Sequence, residues 1–326
     1  MCGVLPDAQW SRMMVRSVQR VGSRTGEWGL QPSGITLRRE YRIRENAPDK
    51  AAHWGEQLWN LLASEVRLEV PTFIVDREAY DFVRTRLVNH LLSRLVVRAK
   101  QARAANAGLP DETRAEAIRR AVDDVVALPE ERQALVAYLL TRIVDRIERR
   151  GGTLTTVQRA RVTGFARARR HRCYICGRRL FYGDDPAHDP DEERAAYRSF
   201  ELDHRFPQAR GGSRGSDNLG ACCESCNKYK DVKLSFADFP VEMSQTPSLN
   251  PVKVAKVFDG RIKFALLWRQ GGDCARCGTK FHDTADERLY LVRRDVSDAF
   301  HFMNVQIACG ECEDGGMLEE GIRIRD

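Results

Sequence analysis

The chain has no apolar stretch long enough to span a membrane. Its N-terminus, MCGVLPDAQWSRMMVRSVQR, also lacks the continuous apolar core of a secretory signal. These absences favour a cytoplasmic protein without membrane contact. The 326 residues are enough for two or three domains, each with its own core. With 42% hydrophobic and 30% charged residues, composition alone selects no functional class beyond an ordinary globular protein.

Acidic residues are missing from one segment of the chain. Between Arg149 and Gly183 there are ten arginines and no Asp or Glu. Such a block favours a polyanionic partner, with Arg167, Arg169 and Arg170 as candidate contacts. The alternative is a solvated, arginine-rich helix face. The net charge of +7 is weaker evidence. Eight cysteines bound to two zinc ions as thiolates would lower it to about +3.

The chain has ten cysteines. Because disulfides are rare in the cytoplasm, these cysteines are not expected to form disulfide bonds. Eight of them form four C-x-x-C pairs, which is the spacing of zinc ligands. The pairs group into two quartets: Cys173, Cys176, Cys223 and Cys226, and then Cys274, Cys277, Cys309 and Cys312. The sequence therefore predicts two structural zinc ions. Of the two remaining cysteines, Cys222 is expected to be a small buried residue beside a ligand.

The run ELDHRFPQARGGSRGSDNLGACCESCNKYK, residues 201–230, follows the knuckle that contains Cys173 and Cys176. It holds an Asp-His pair, an Asn fourteen residues after the His, and another Asn nine residues later. Histidine can act as a base near neutral pH, and carboxylate and amide oxygens suit a hard cation. Metal-dependent phosphodiester cleavage needs these groups together.

This constellation, at about residues 165–232, resembles the HNH (His-Asn-His) endonuclease motif in its variant with a structural zinc. The resemblance implies an α+β protein in which a helical N-terminal region precedes a ββα-metal domain. It implies that His204 is the general base and that Asn218 holds the loop behind it. Asp203 and Asn227 would then bind a catalytic Mg²⁺ or Mn²⁺. Many family members carry a final His at the position of Asn227, and Asn there keeps an oxygen ligand.

The implied reaction is hydrolysis of DNA phosphodiester bonds, leaving 5′-phosphate and 3′-hydroxyl ends, with one nick per active site. Four basic residues flank the motif as candidate phosphate contacts: Arg205, Arg210, Lys228 and Lys230. Such nucleases occur in anti-phage defence, in mobile elements and in effector complexes, where another protein subunit can find the target. The alternatives are a non-catalytic zinc-finger scaffold that binds nucleic acid, and an RNA nuclease.

The pattern of apolar residues, prolines and glycines divides the chain into five segments. The division is a basic irregular segment 1–48, a helical domain 49–170, the HNH-like domain 171–232, a proline-containing linker 233–260 and a second zinc module 261–326.

The second cysteine quartet has two interpretations. It belongs either to a degenerate copy of the first domain or to an unrelated zinc ribbon, since short C-x-x-C matches are common. In the register of a copy, the paired positions are Val292 for Asp203, Arg293 for His204, Asn304 for Asn218 and Glu313 for Asn227. A copy of this kind would lack the base and one ligand, and would be structural only.

Overall fold

The structure is a computed structural model, and it describes residues 53–66, 76–149, 155–168, 172–177, 179–181, 199–281 and 289–312. The predicted N-terminal segment 1–48 and Glu313 lie outside these ranges. Within them, no helix is both long and apolar enough to cross a membrane. The fold mixes helices with three separate two-stranded antiparallel sheets among the described residues.

The first four helices pack around one apolar core. They are α1 (Trp54–Glu65), α2 (Arg77–Ala105), α3 (Asp111–Asp123) and α4 (Glu130–Glu148). The apolar residues of α2 recur at helical spacing, so that Val88, Leu92 and Leu95 share its buried face. All four helices lie within residues 49–170, which the sequence predicts to be helical.

The segment around the first cysteine quartet forms what we call the first module. It comprises helix α5 (Thr156–Ala168), the knuckle at residues 172–177, strands β1 (Phe200–His204) and β2 (Leu219–Cys223), and helix α6 (Glu224–Lys230). The two strands pair antiparallel, and α6 follows β2 directly. Ala166 of α5 lies in the core of this module rather than in that of α1–α4.

The proposed linker at residues 233–260 needs a correction. It contains strand β3 (Gln245–Thr246) and helix α7 (Pro251–Val257), and its apolar side chains are buried. Phe236, Phe239 and Phe258 are each at most 6% exposed and belong to the same core as cysteines of both quartets. The prolines suggested a connector, but the aromatic residues between them make the segment part of the packed structure.

A second module follows, built from helix α8 (Gly260–Gln270), the knuckle at residues 273–278, and strands β4 (Leu289–Arg293) and β6 (Val305–Cys309). Strand β5 (Phe300–His301) pairs with β3, and a 3-10 turn (Gly310–Cys312) follows β6. The two modules share one core, and Gly177 of the first knuckle packs against Gly272, which directly precedes the second knuckle.

The hairpins of the two modules have the same register. The first residue of each hairpin pairs with the quartet cysteine that ends its second strand: Phe200 with Cys223, and Leu289 with Cys309. In both modules the helix, knuckle and hairpin occur in the same order. This agreement favours the degenerate copy over an unrelated ribbon. Val292 and Arg293 occupy the strand positions of Asp203 and His204.

The loop between β1 and β2, residues 205–218, packs into the helical core. Phe206 is 1% exposed and lies in the same apolar cluster as α1–α4. The Gly55 N–H of α1 donates to the Gly211 carbonyl at 3.0 Å. A Cβ atom at Gly55 would lie 2.3 Å from the Arg210 carbonyl oxygen, so only glycine allows this approach. The helical region therefore holds the loop from behind.

An ion pair joins the same two parts. The His53 Nε2 atom, at the N-terminus of α1, lies 2.7 Å from the Asp217 carboxylate, and Nδ1 lies 3.1 Å from Glu56. Burial acts to lower the pKa of His53, but the two carboxylates outweigh it and raise the pKa to about 9. Protonated His53 therefore favours the folded state.

This pair predicts a pH dependence of stability. An unfolded histidine titrates near pH 6.5, so the stabilisation is complete below about 6.5 and disappears as the pH rises through about 9. Between pH 6 and 9.5, wild-type protein should lose more free energy of unfolding than Asp217→Asn, as measured by urea denaturation. Asp124→Asn, which removes a carboxylate from an exposed ion pair, should behave like wild type. Equal losses in wild type and Asp217→Asn would contradict the assignment.

Candidate active site

The predicted Asp-His pair lies at the end of β1. Asp203 is buried, whereas His204 is partly exposed, because successive strand residues point to opposite faces. Asp203 pairs with Gly220 on β2. A Cβ atom at Gly220 would lie 2.7 Å from the Tyr174 ring, so the glycine makes room for this tyrosine of the knuckle. The Tyr174 hydroxyl donates a hydrogen bond to the Asp203 carboxylate.

Helix α6 packs one polar face against β1. Asn227 and Lys230 are three residues apart on the helix, and Glu201 and Asp203 are two apart on the strand, so each pair shares a face. The Asn227 amide donates to the Glu201 carboxylate. The Lys230 Nζ atom lies 3.0 and 3.2 Å from the two Asp203 oxygens. These two contacts, Asn227 with Glu201 and Lys230 with Asp203, join α6 to β1. They bring Asp203 and Asn227 to the same strand–helix interface.

The surroundings of His204 suit a neutral imidazole. Burial lowers its pKa, and the charges of Lys230 and Arg214 lower it further against the opposing effect of Asp203. The Gln208 amide donates to Nε2 at 2.8 Å, which leaves the ring proton on Nδ1. The Lys230 ammonium donates to the His204 backbone carbonyl at 2.9 Å and fixes the end of the strand.

Asn218 holds the loop that follows His204. Its Oδ1 accepts from the Phe206 N–H at 2.8 Å, and its Nδ2 donates to the Phe206 and Ser213 carbonyls at 2.9 and 2.8 Å. Asn304 repeats the pattern in the second module, with three hydrogen bonds of 2.8–2.9 Å to the backbone of Asp295 and Ala299. The equal geometry shows that this Asn serves the loop.

Comparison with known families identifies the motif. Residues 192–237 match the family described as HNH endonuclease. This segment therefore carries an HNH endonuclease motif. The match covers β1, the loop, β2 and α6. Comparisons with curated proteins and with solved structures give no significant match. The HNH domain suggests nuclease activity of the HNH type.

Each cysteine quartet brings four sulfur atoms close enough to hold a metal ion. Within both quartets, all four Sγ atoms lie within 4.8 Å of one another. The first quartet is fully buried and joins the knuckle to the point where β2 becomes α6, whereas Cys277 of the second is exposed. Four thiolates fit zinc and leave no open position, so such ions would be structural. Cys222 is buried beside the first quartet, as expected.

The residues predicted to contact nucleic acid around the HNH site differ in how exposed their side chains are. Lys228 and Arg167 are exposed, and Arg205 and Arg210 are partly buried. Arg169 and Arg170 lie outside the described residues. Lys230 needs a correction: its side chain is 0% exposed and is held by Asp203 and His204. It shapes the site from inside and cannot serve as a surface phosphate contact in this arrangement.

Three residues of the HNH site did not emerge from the sequence. Glu201 contacts Asn227, Tyr174 contacts Asp203, and Gln208 contacts His204. Glu201 could have been found from strand alternation, since it lies two residues before Asp203 and shares its face. Tyr174 lies between two zinc ligands, and only the packing of the knuckle on Gly220 reveals its role.

Asn218 and Asn304 provide a matched pair of variants. Changing either to Ala leaves buried backbone groups without partners, so each should lower the free energy of unfolding by about 1–3 kcal/mol. Only Asn218→Ala should also reduce nuclease activity, because Asn218 supports the loop after His204 and Asn304 does not. Urea denaturation and plasmid nicking measure the two effects. A comparable loss of nicking in Asn304→Ala would show that the second module takes part in the chemistry.

Proposed function

We propose that this protein is a metal-dependent HNH endonuclease that hydrolyses DNA phosphodiester bonds, one strand per active site. The observation that carries the proposal is the arrangement at the end of β1. His204, whose pKa is lowered, follows Asp203 at the end of β1, and Asn218 holds the loop that comes next. Asp203 and Asn227 lie where β1 meets α6. A non-catalytic zinc-finger scaffold would not require this combination.

His204 would act as the general base. Its Nε2 atom carries the lone pair, because it accepts the hydrogen bond from Gln208. A water molecule that takes the place of the Gln208 amide can therefore give its proton to Nε2 as it attacks phosphorus. The lowered pKa keeps the base unprotonated near neutral pH.

Asp203 and Asn227 would hold the catalytic cation. Their oxygens suit Mg²⁺ or Mn²⁺. The Asp203 carboxylate is paired with the Lys230 ammonium at 3.0 Å, so a cation bound to Asp203 would lie beside that ammonium or take its place. When bound, the cation would stabilise charge on the scissile phosphate and on the departing 3′ oxygen.

DNA is the proposed substrate, with exposed Lys228 and Arg167 as candidate phosphate contacts beside the HNH site. The helices α1–α4 contain no feature of this chemistry and could dock a protein subunit that finds the target, which is an analogy at the level of fold. A role in prokaryotic defence or in a mobile element would be consistent with such an arrangement.

His204→Ala should abolish cleavage. Loss of a general base should lower the rate of plasmid nicking by more than about 10²-fold, while DNA binding measured by fluorescence anisotropy stays largely intact. Arg293→Ala is the matched control, because Arg293 occupies the same strand position in the second module. It should leave nicking nearly unchanged. Unchanged turnover by purified His204→Ala would contradict the assignment of His204 as the general base. Preferential cleavage of RNA would contradict DNA as the substrate.

The proposed metal ligands predict a change in the metal titration. Asn227→Ala and Asp203→Asn should each raise the Mg²⁺ or Mn²⁺ concentration that gives half-maximal nicking. Asn replaces Asp203 here because it keeps an oxygen that can accept a hydrogen bond from the buried Lys230 ammonium, which Ala would not provide. If both variants keep the wild-type metal titration, these residues are not the ligands.

A further inference from the structure

The amide of Asn227 has a defined orientation. A carboxylate can only accept hydrogen bonds, so the contact with Glu201 requires the amide nitrogen on that side. The oxygen Oδ1 must then point away from Glu201. Oδ1 accepts no hydrogen bond from the residues that the structure describes. The side chain thus offers an unused oxygen at the strand–helix interface.

If the Asn227 amide were flipped, its NH₂ group would face the cation in place of Oδ1. Oδ1 can bind a hard cation, whereas the NH₂ group cannot. Exchange between the two orientations would therefore lower the fraction of protein ready to bind metal. Glu201 excludes the exchange, since a turned amide would place Oδ1 against a carboxylate oxygen.

The second module shows that the hairpin does not need Glu201 for folding. The matching strand position in β4 is Tyr290, which is buried, and the next position on that face is Val292. The hairpin there keeps the same register. Glu201 and Asp203 are thus both replaced by other residue types in the hairpin that has no histidine at the base position, which indicates a role in the site for both.

We propose that Glu201 is a positioning residue that holds Asn227 with Oδ1 directed towards the catalytic cation. This rests on the proposed function, because it takes Asn227 as a metal ligand. It extends that function by adding a residue that acts on the metal through Asn227 and contacts neither the water nor the phosphate.

The test compares two substitutions at Glu201 in the zinc-loaded, full-length protein. Glu201→Ala removes the acceptor and should weaken Mn²⁺ binding about 10-fold or more, the usual effect of losing a partner of a metal ligand. Glu201→Gln keeps an oxygen that can accept from Asn227, and should restore binding to within a few-fold of wild type. Titration calorimetry with Mn²⁺ in the absence of nucleic acid measures the affinity, and the metal dependence of plasmid nicking follows in parallel.

A further comparison makes the same Glu201 substitution in an Asn227→Asp variant. In Asn227→Asp both side-chain atoms are oxygens, so no orientation has to be held. Glu201→Ala in that background should weaken Mn²⁺ binding much less than it does in the wild type, because only the attraction of its negative charge is lost. Glu224→Ala is the control, because it removes an exposed carboxylate from the first turn of α6 and should change nothing.

The outcomes separate the inference from the function it rests on. Equal Mn²⁺ affinities for wild type and Glu201→Ala, or a Glu201→Gln variant as weak as Glu201→Ala, would overturn the positioning role while cleavage by the wild type stands. If the wild-type protein binds Mn²⁺ but cuts neither DNA nor RNA, the proposed nuclease function is wrong. Wild-type protein without Mn²⁺ binding would overturn both.

Discussion

Helix α6 has only seven residues, which is far too short to be stable alone in water. Its place is set by Cys223, at the helix start, and Cys226, inside the helix, whose sulfur atoms cluster with those of the two knuckle cysteines. The helix must be in place before Asn227 and Lys230 can reach Glu201 and Asp203. The cysteine quartet is therefore the constraint on which the candidate site depends, although none of its atoms would take part in the chemistry.

Sequence alone predicted the residues that form a linear motif. Fixed spacing identified His204, Asn218 and both quartets, because a strand, a loop and a short helix leave little freedom between such positions. It failed where contacts depend on which faces meet. Lys230 looked like a surface charge in a basic run, and it is buried because its position on α6 faces Asp203. The segment 233–260 looked like a connector, yet its aromatic residues fill the core between the two modules.

The two modules separate what the hairpin needs for folding from what the site needs for chemistry. Asn218 and Asn304 make the same backbone contacts, so this residue serves the loop in both. On the strand before the loop, Tyr290, Val292 and Arg293 take the positions of Glu201, Asp203 and His204. The groups on that strand that are assigned to metal binding and water activation are therefore all absent from the second module. A shared fold with this pattern of change is what loss of catalysis from a duplicated domain would leave.

The helical region also contributes to the site, although it holds none of its proposed catalytic groups. Phe206 lies two residues after His204 and is buried in the core of α1–α4, and Gly55 packs against the same loop. Asn218 ties that loop at the backbone of Phe206. The position of His204 is thus fixed from two sides, by an amide within the HNH domain and by apolar packing on the helices. Because a general base must lie within hydrogen-bonding reach of the attacking water, the helical region and the HNH domain act as one scaffold rather than as a catalytic domain with a separate appendage.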